Sequence, residues 1–138
     1  MHILYPAAAL FALTALAVFR LAALRLAAIR LGEIHPRYFR AFRDGSEPEA
    51  VHVAGRHVRN LFEAPVLFYV ILVIAFATGQ SGWLPVTLAW LYVALRAAHT
   101  WVHLTSNVVL LRFRLFALSW FVLIALWIVV FLGPALGG

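Results

Sequence analysis

The chain has 138 residues, 65% of them hydrophobic, with a mean hydropathy of +0.97. Soluble domains contain roughly 45–50% apolar residues, so the composition excludes a soluble protein and predicts one integral membrane domain over residues 1–138. The net charge is +6, and all eleven basic residues are arginines. They cluster at the ends of apolar segments, which excludes a nucleic-acid-binding surface. The absence of cysteine excludes disulfides, thiolate nucleophiles and Cys-ligated metal sites.

The first apolar segment predicts a membrane helix over residues 3–31. Its second half contains Arg20, Arg25 and Arg30. A long basic side chain near a helix end can extend to the membrane surface, but Arg20 and Arg25 lie deep enough to require a partner inside the protein. Since no charged segment precedes the apolar run, we expect it to stay as a membrane span instead of being removed as a signal peptide.

Residues 32–54 interrupt the apolar pattern with prolines, an Asp-Gly turn signal and charges of both signs. They predict a cytoplasmic loop with a short interfacial helix around residues 37–43. About 20 apolar residues cross the roughly 30 Å hydrocarbon core of a bilayer. By this measure the rest of the chain predicts three more helices, over residues 53–78, 85–105 and 112–132.

The arginines sort to one side of the predicted bundle. The second loop and the C-terminal tail contain none, whereas the first loop with its flanks and the third joint contain eight: Arg30, Arg37, Arg40, Arg43, Arg56, Arg59, Arg112 and Arg114. The positive-inside rule therefore predicts that the first and third loops are cytoplasmic and that both termini lie on the other side.

Polar residues recur at helical spacing at the predicted cytoplasmic ends of the second and third spans. Residues three and four apart share a helix face, which predicts two polar stripes. The second span presents Arg56, Arg59, Asn60 and Glu63. The third presents Tyr92, Arg96, His99, His103 and Asn107. Polar groups at membrane depth usually face a bundle interior or a watery cavity.

Two interpretations account for these stripes. In the first, Arg56 and Glu63 pair with Arg96 and His99 and hold the helices together. In the second, the stripes bind an anion, because together with Arg112 they supply four arginines but one carboxylate. Surplus guanidinium favours a ligand that carries carboxylates or phosphates.

A metal site is the weaker interpretation of the histidines. His99 and His103 have the i, i+4 spacing of metal ligands, and His57 and Glu63 would complete a set. The neighbouring arginines disfavour a bound cation, so no metal ligand is predicted. His57 is assigned to another face of its helix, at the membrane interface and outside the site.

Taken together, three motifs resemble the MAPEG family, the membrane-associated proteins in eicosanoid and glutathione metabolism. They are "RHVRNLFEAP", similar to an R-x-x-x-N-x-x-E-x-x-P type signature, then "RAAHTWVHL" and "RFRLF". The resemblance covers nearly the whole chain and is greatest to small bacterial members, which implies a bacterial inner-membrane protein. It implies a homotrimer of four-helix subunits, with glutathione bound between subunits near the cytoplasmic side.

The resemblance also implies a role for each motif residue. Arg112 would stabilise the glutathione thiolate, Arg56 would support the site, and a first-helix arginine would join it: Arg25, or alternatively Arg20 or Arg30. The peptide would be held by Arg59, Asn60, Glu63, Arg96, His99 and His103. The chemistry is consistent with this, because arginines suit the glutathione carboxylates and a nearby guanidinium favours the charged form of a thiol.

Three positions depart from the patterns of the family. His103 stands where many eukaryotic members have tyrosine, and Phe113 and Phe116 stand where prostaglandin E synthase-type members have serine and tyrosine. The missing hydroxyls argue against the specialised isomerase reaction and leave a general glutathione transferase or peroxidase acting on lipophilic electrophiles. The alternative is a non-catalytic protein of the same fold that binds lipid or another anion, or serves as an accessory subunit of a larger membrane complex.

Overall fold

The computed structural model describes residues 2–42 and 46–136. The described residues form one four-residue helix and five longer ones, which confirms the all-helical prediction. The helices are α1 (Tyr5–Arg30), α2 (Tyr38–Ala41), α3 (Glu49–Leu61), α4 (Ala64–Ala77), α5 (Trp83–Leu104) and α6 (Val109–Leu136).

Three stretches of the described chain are long and apolar enough to cross a membrane: Tyr5–Arg30, Glu49–Ala77 and Val109–Gly133. Most of their apolar residues are not buried within the chain, as expected for helices that face lipid or another subunit. The chain is therefore an integral membrane protein. Helix α5 has 22 residues, or about 33 Å, which also suffices to cross a bilayer. The polar stripe of α5 makes its mean hydropathy lower than that of the three other segments. That α5 is a fourth membrane span therefore stays a prediction.

The second predicted span is interrupted where its polar and apolar halves meet. Helix α3 ends at Leu61, Glu63 adopts the non-helical angles φ −92° and ψ −95°, and α4 begins at Ala64. Pro65 explains the break, because it lacks an N–H and its ring would clash with the carbonyl of residue 61 in a continuous helix. The predicted loop also ends earlier than expected, since α3 begins at Glu49 after Pro48 rather than at residue 53.

The predicted interfacial helix is present as the short α2 (Tyr38–Ala41), while Arg43, at the end of the predicted helix, lies outside the described residues. Aromatic side chains from this region hold Arg25 of α1. Its guanidinium carbon lies 5.1 Å from the ring centroid of Phe39 and 5.9 Å from that of Phe42. Such cation–π contacts keep a half-buried arginine oriented without neutralising its charge.

Two apolar clusters hold the helices together. The larger joins α1, α4, α5 and α6 around Leu10, Phe68, Tyr92 and Leu126, and the Phe68 and Tyr92 rings stack with centroids 4.5 Å apart. The smaller joins α1 to α3 and includes Leu21, Ala28, Ile34, Val51 and Ala54. The polar ends of α3 and α5 meet beside the smaller cluster, and the site lies there.

The turn after α4 depends on Gly79. Its φ of +71° places it in the left-handed region, and the paired hydrogen bonds from Gly79 N to Phe76 O and from Gln80 N to Ala75 O form a Schellman motif.

Gly79→Ala should lower the free energy of unfolding by about 1 kcal/mol, because a Cβ is disfavoured at this φ. Gly55→Ala is the control with the opposite sign. Gly55 lies inside α3 with open space around a Cβ, so alanine should stabilise that helix. Thermal unfolding in detergent measures both, and equal midpoints for the two variants would contradict the assignment.

Candidate functional site

Two neighbouring cavities contain most of the predicted site residues. The first, the arginine cavity, has a volume of about 460 Å³, and its lining includes Arg25, Arg56 and Arg59 together with Glu47 and His52. The second, the Arg112 cleft, measures about 320 Å³ and is lined by Arg56, Asn60, His99, His103, Val109, Arg112, Phe113 and Phe116. Arg56 lines both, so the two cavities adjoin along α3.

A short polar joint holds Arg112 in its cleft. After α5 ends at Leu104, Asn107 adopts a left-handed φ of +50° and its backbone N–H donates to Val102 O. Its side-chain oxygen accepts a 2.6 Å hydrogen bond from Arg112 Nη1. Asn107 thus leaves the helical stripe predicted for it and becomes the residue that orients Arg112. A neutral amide leaves the positive charge of the guanidinium uncompensated.

Arg96 is fully buried and lines neither cavity. Its Nη2 donates to the Asn60 side-chain oxygen at 2.5 Å and to the Asn60 carbonyl oxygen at 3.2 Å. Its Nε and Nη1 have no hydrogen-bond partner among the described residues. Arg96 therefore joins α5 to the end of α3 and holds Asn60 at the wall of the Arg112 cleft.

The prediction that His57 lies outside the site is wrong. His57 is fully buried, and its ring centroid lies 5.0 Å from that of His103 and 6.0 Å from that of His99. The sequence carried a signal for this, because His57 follows Val51 and Ala54 and precedes Leu61 at helical spacing, and all four are buried. His57 continues the buried face of α3, where the three histidines form one cluster.

The α3 stripe points outward from the single chain, while the α5 stripe points inward. Arg56, Arg59 and Glu63 are exposed, with Glu63 at the break between α3 and α4, whereas Tyr92, Arg96, His99 and His103 are buried on one face of α5. Within the described part of the chain, the one salt bridge joins His52 to Glu47. No arginine takes part in a salt bridge there. The interpretation of the stripes as paired helices therefore lacks its ion pairs. Among the residues that the structure describes, the lining of the Arg112 cleft has no carboxylate to balance its arginines, and the arginine cavity has one, Glu47, against three arginines.

The histidine cluster does not have the arrangement of a metal site. Across residues 2–42 and 46–136, no group of three or more His, Cys, Asp or Glu side chains is placed to hold a metal ion. The cluster is also flanked by cations, since His99 and His103 share the cleft with Arg56 and Arg112. The donor set suits an anion better than a metal cation.

Comparison with known proteins gives one match. The sequence model of the MAPEG family matches residues 3–132, which is nearly the whole chain. Neither a curated protein nor a solved structure matches. The match covers both cavities, the histidine cluster and the joint that holds Arg112.

Proposed function

Since this chain belongs to the MAPEG family, we propose that it is a membrane-bound glutathione-dependent transferase or peroxidase that acts on lipophilic electrophiles. The family includes glutathione-dependent transferases and peroxidases, and its members are commonly trimers. The proposed protein is a homotrimer of four-span subunits in a bacterial inner membrane, with both termini on the non-cytoplasmic side.

The observation that carries the proposal is the geometry of Arg112. Its guanidinium is held by a neutral partner, Asn107, and lines a cleft that contains Arg56 and no carboxylate. Thiol chemistry requires the thiolate, and a fixed cation beside the sulfur favours that form. Because the cleft is also walled by Val109, Phe113 and Phe116, the same charge acts next to an apolar surface that suits a lipophilic electrophile.

The remaining polar residues match the charges of glutathione. The arginine cavity presents Arg25, Arg56 and Arg59 against one carboxylate, Glu47, and this surplus of guanidinium suits the two carboxylates of glutathione. The exposed Glu63 would pair with its ammonium group. Both cavities are open to the surface of the single chain, so a second subunit would close them and enclose the peptide. Arg96 would act by holding Asn60, whose amide can donate to and accept from the peptide.

A second function, anion binding without catalysis, is favoured by the two phenylalanines. Phe113 and Phe116 line the cleft where a thiol-activating hydroxyl would stand in the resembling enzymes. Such a protein would hold glutathione, a lipid head group or another anion as a structural subunit. It would bind glutathione without ionising its sulfur.

Thiolate absorbance in the ultraviolet separates the two functions. Purified protein mixed with glutathione should show a new thiolate band, because the Arg112 cation favours the ionised sulfur. S-methylglutathione is the matched control, since it has the same charges but cannot ionise at sulfur. Binding of both ligands by calorimetry without a thiolate band from glutathione would overturn the enzymatic function and support the second one.

A further inference from the structure

A third cavity lies on the other side of His103. It measures about 420 Å³ and extends between the first turn of α3 and the joint that follows α5. Its walls include Arg20, Glu49, Val53, His103, Thr105 and Asn107. We call it the Glu49 cavity, after the acidic residue in its wall. Arg20, which was predicted to need a partner inside the protein, is exposed and lines this cavity.

His103 is the residue that lines both the Arg112 cleft and the Glu49 cavity. Its side chain is almost fully buried, with 2% of its surface exposed, and it lies between the two cavities. Its Nδ1 has no hydrogen-bond partner among the described residues, nor have Nδ1 of His99 and both ring nitrogens of His57. Buried polar atoms are usually hydrogen-bonded, so three such imidazoles together call for a functional explanation.

We propose that His103 transfers the proton of the bound thiol from the Arg112 cleft to water in the Glu49 cavity. The inference rests on the proposed glutathione chemistry and adds to it a residue that accepts the proton. Arg112 cannot do so, because a guanidinium offers donors and no acceptor. A neutral imidazole has one acceptor nitrogen and is the usual proton-transfer group near neutral pH.

The proton step balances without another reactant. The S–H bond breaks, its electron pair stays on sulfur as the thiolate, and an N–H bond forms on His103. The ring then turns toward the Glu49 cavity and releases the proton to water, which restores the starting tautomer. Glu49 stabilises the departing positive charge. The groups around His103 are His57, His99, Arg20, Arg56, Arg112 and Glu49.

His57 and His99 act as positioning residues in this step. Their ring centroids lie 5.0 and 5.7 Å from that of His103, so they pack against the imidazole on its buried side. The guanidinium groups of Arg56 and Arg112 in the cleft repel an imidazolium ion. This repulsion drives the proton toward the side of His103 that faces Glu49.

Rapid mixing with glutathione tests the proposal through two signals, thiolate absorbance and the colour of a pH-indicator dye in bulk solution. His103→Tyr keeps a hydrogen-bonding side chain of comparable length but removes the base. We expect thiolate to appear about 100-fold more slowly, within the usual range for general-base catalysis. The final thiolate amplitude at saturating glutathione should stay at the wild-type value, because a proton carrier changes the rate and not the equilibrium. His35→Asn is the control, since asparagine can accept the same bond from Arg37 N at this exposed site.

Glu49→Gln provides a second test at an exposed position in the first turn of α3. It should delay the dye response several-fold, whereas Glu33→Gln, which changes an exposed carboxylate outside these cavities, should not. A wild-type rate of thiolate formation in His103→Tyr overturns the proposal and leaves the glutathione function intact. If His103→Tyr does not fold, a wild-type dye response in Glu49→Gln overturns it. If the wild-type protein forms no thiolate, both the glutathione function and this inference are contradicted.

Discussion

Replacing Arg112 by alanine is expected to lower transferase turnover about 1,000-fold and to abolish most of the thiolate band. The expected loss is at the upper end of that seen when one fixed donor to a developing anion is removed from an active site. Arg112 is oriented by Asn107 and lies beside the histidine cluster in the cleft, so its charge acts at a fixed place. Turnover with a lipophilic electrophile and thiolate absorbance at saturating glutathione measure the effect.

Arg114→Ala is the matched control for Arg112→Ala. Arg114 is two residues away on α6, is exposed and does not line the Arg112 cleft. Its removal takes the same charge from the same end of the helix, so both variants change the protein's net charge equally. Equal losses in the two variants would mean that net positive charge, and not the placed guanidinium of Arg112, supports the reaction.

Removing the side chain of Asn60 should destabilise the fold by about 3 kcal/mol. Asn60→Ala takes away the side-chain oxygen that accepts from Arg96 Nη2 and leaves the buried guanidinium with the Asn60 carbonyl alone. A buried donor that loses its acceptor typically lowers stability by roughly 1–3 kcal/mol, and a charged donor lies at or above the upper end of that range. Because this bond joins α5 to the end of α3, unfolding of purified protein in detergent should shift to lower denaturant or temperature.

The double variant Asn60→Ala/Arg96→Met shows whether the loss comes from the stranded charge. Methionine has a similar length without charge, so removing both groups should recover most of the stability that Asn60→Ala loses. The coupling between the two substitutions, from the four-member mutant cycle, isolates their interaction. Additive losses with no recovery would show that the Asn60 position matters through packing and not through its bond to Arg96.

The sequence patterns predicted the helical membrane protein and the family well, because both depend on features spread along the chain. Apolar segments of sufficient length mark Tyr5–Arg30 and Val109–Gly133 as spans regardless of how they pack. Helical spacing alone also placed Arg96, His99 and His103 on one face of α5, and that face is buried. The specific activity and the role of Arg112 are predictions that the experiments above test, and the trimer stays a prediction.

The sequence reading failed where local and tertiary effects compete. Pro65 breaks the second predicted span where its polar half meets its apolar half, whereas the sequence predicted one continuous helix over residues 53–78. His57 was predicted to lie at the interface because it is off the helix face shared by Arg56 and Glu63, yet it lies on the buried face of α3 against His99 and His103. Asn107 continues the periodicity of α5 but lies beyond its end, since the chain turns at a left-handed residue. Periodicity shows which residues share a face, and only packing shows what that face meets.

The polar stripe of α5 also affects how the protein is made. Arg96 lies near the middle of α5, and an arginine at the centre of a membrane helix opposes insertion by about 2.5–3.5 kcal/mol. Helix α5 packs against α6, the most apolar of the long segments, and the joint between them is short. In the four-span arrangement, insertion of α5 into the bilayer would therefore depend on its packing against α6. The order of biogenesis follows: the buried Arg96 enters the bilayer together with α6, after the site arginines of α1 and α3 are already in place.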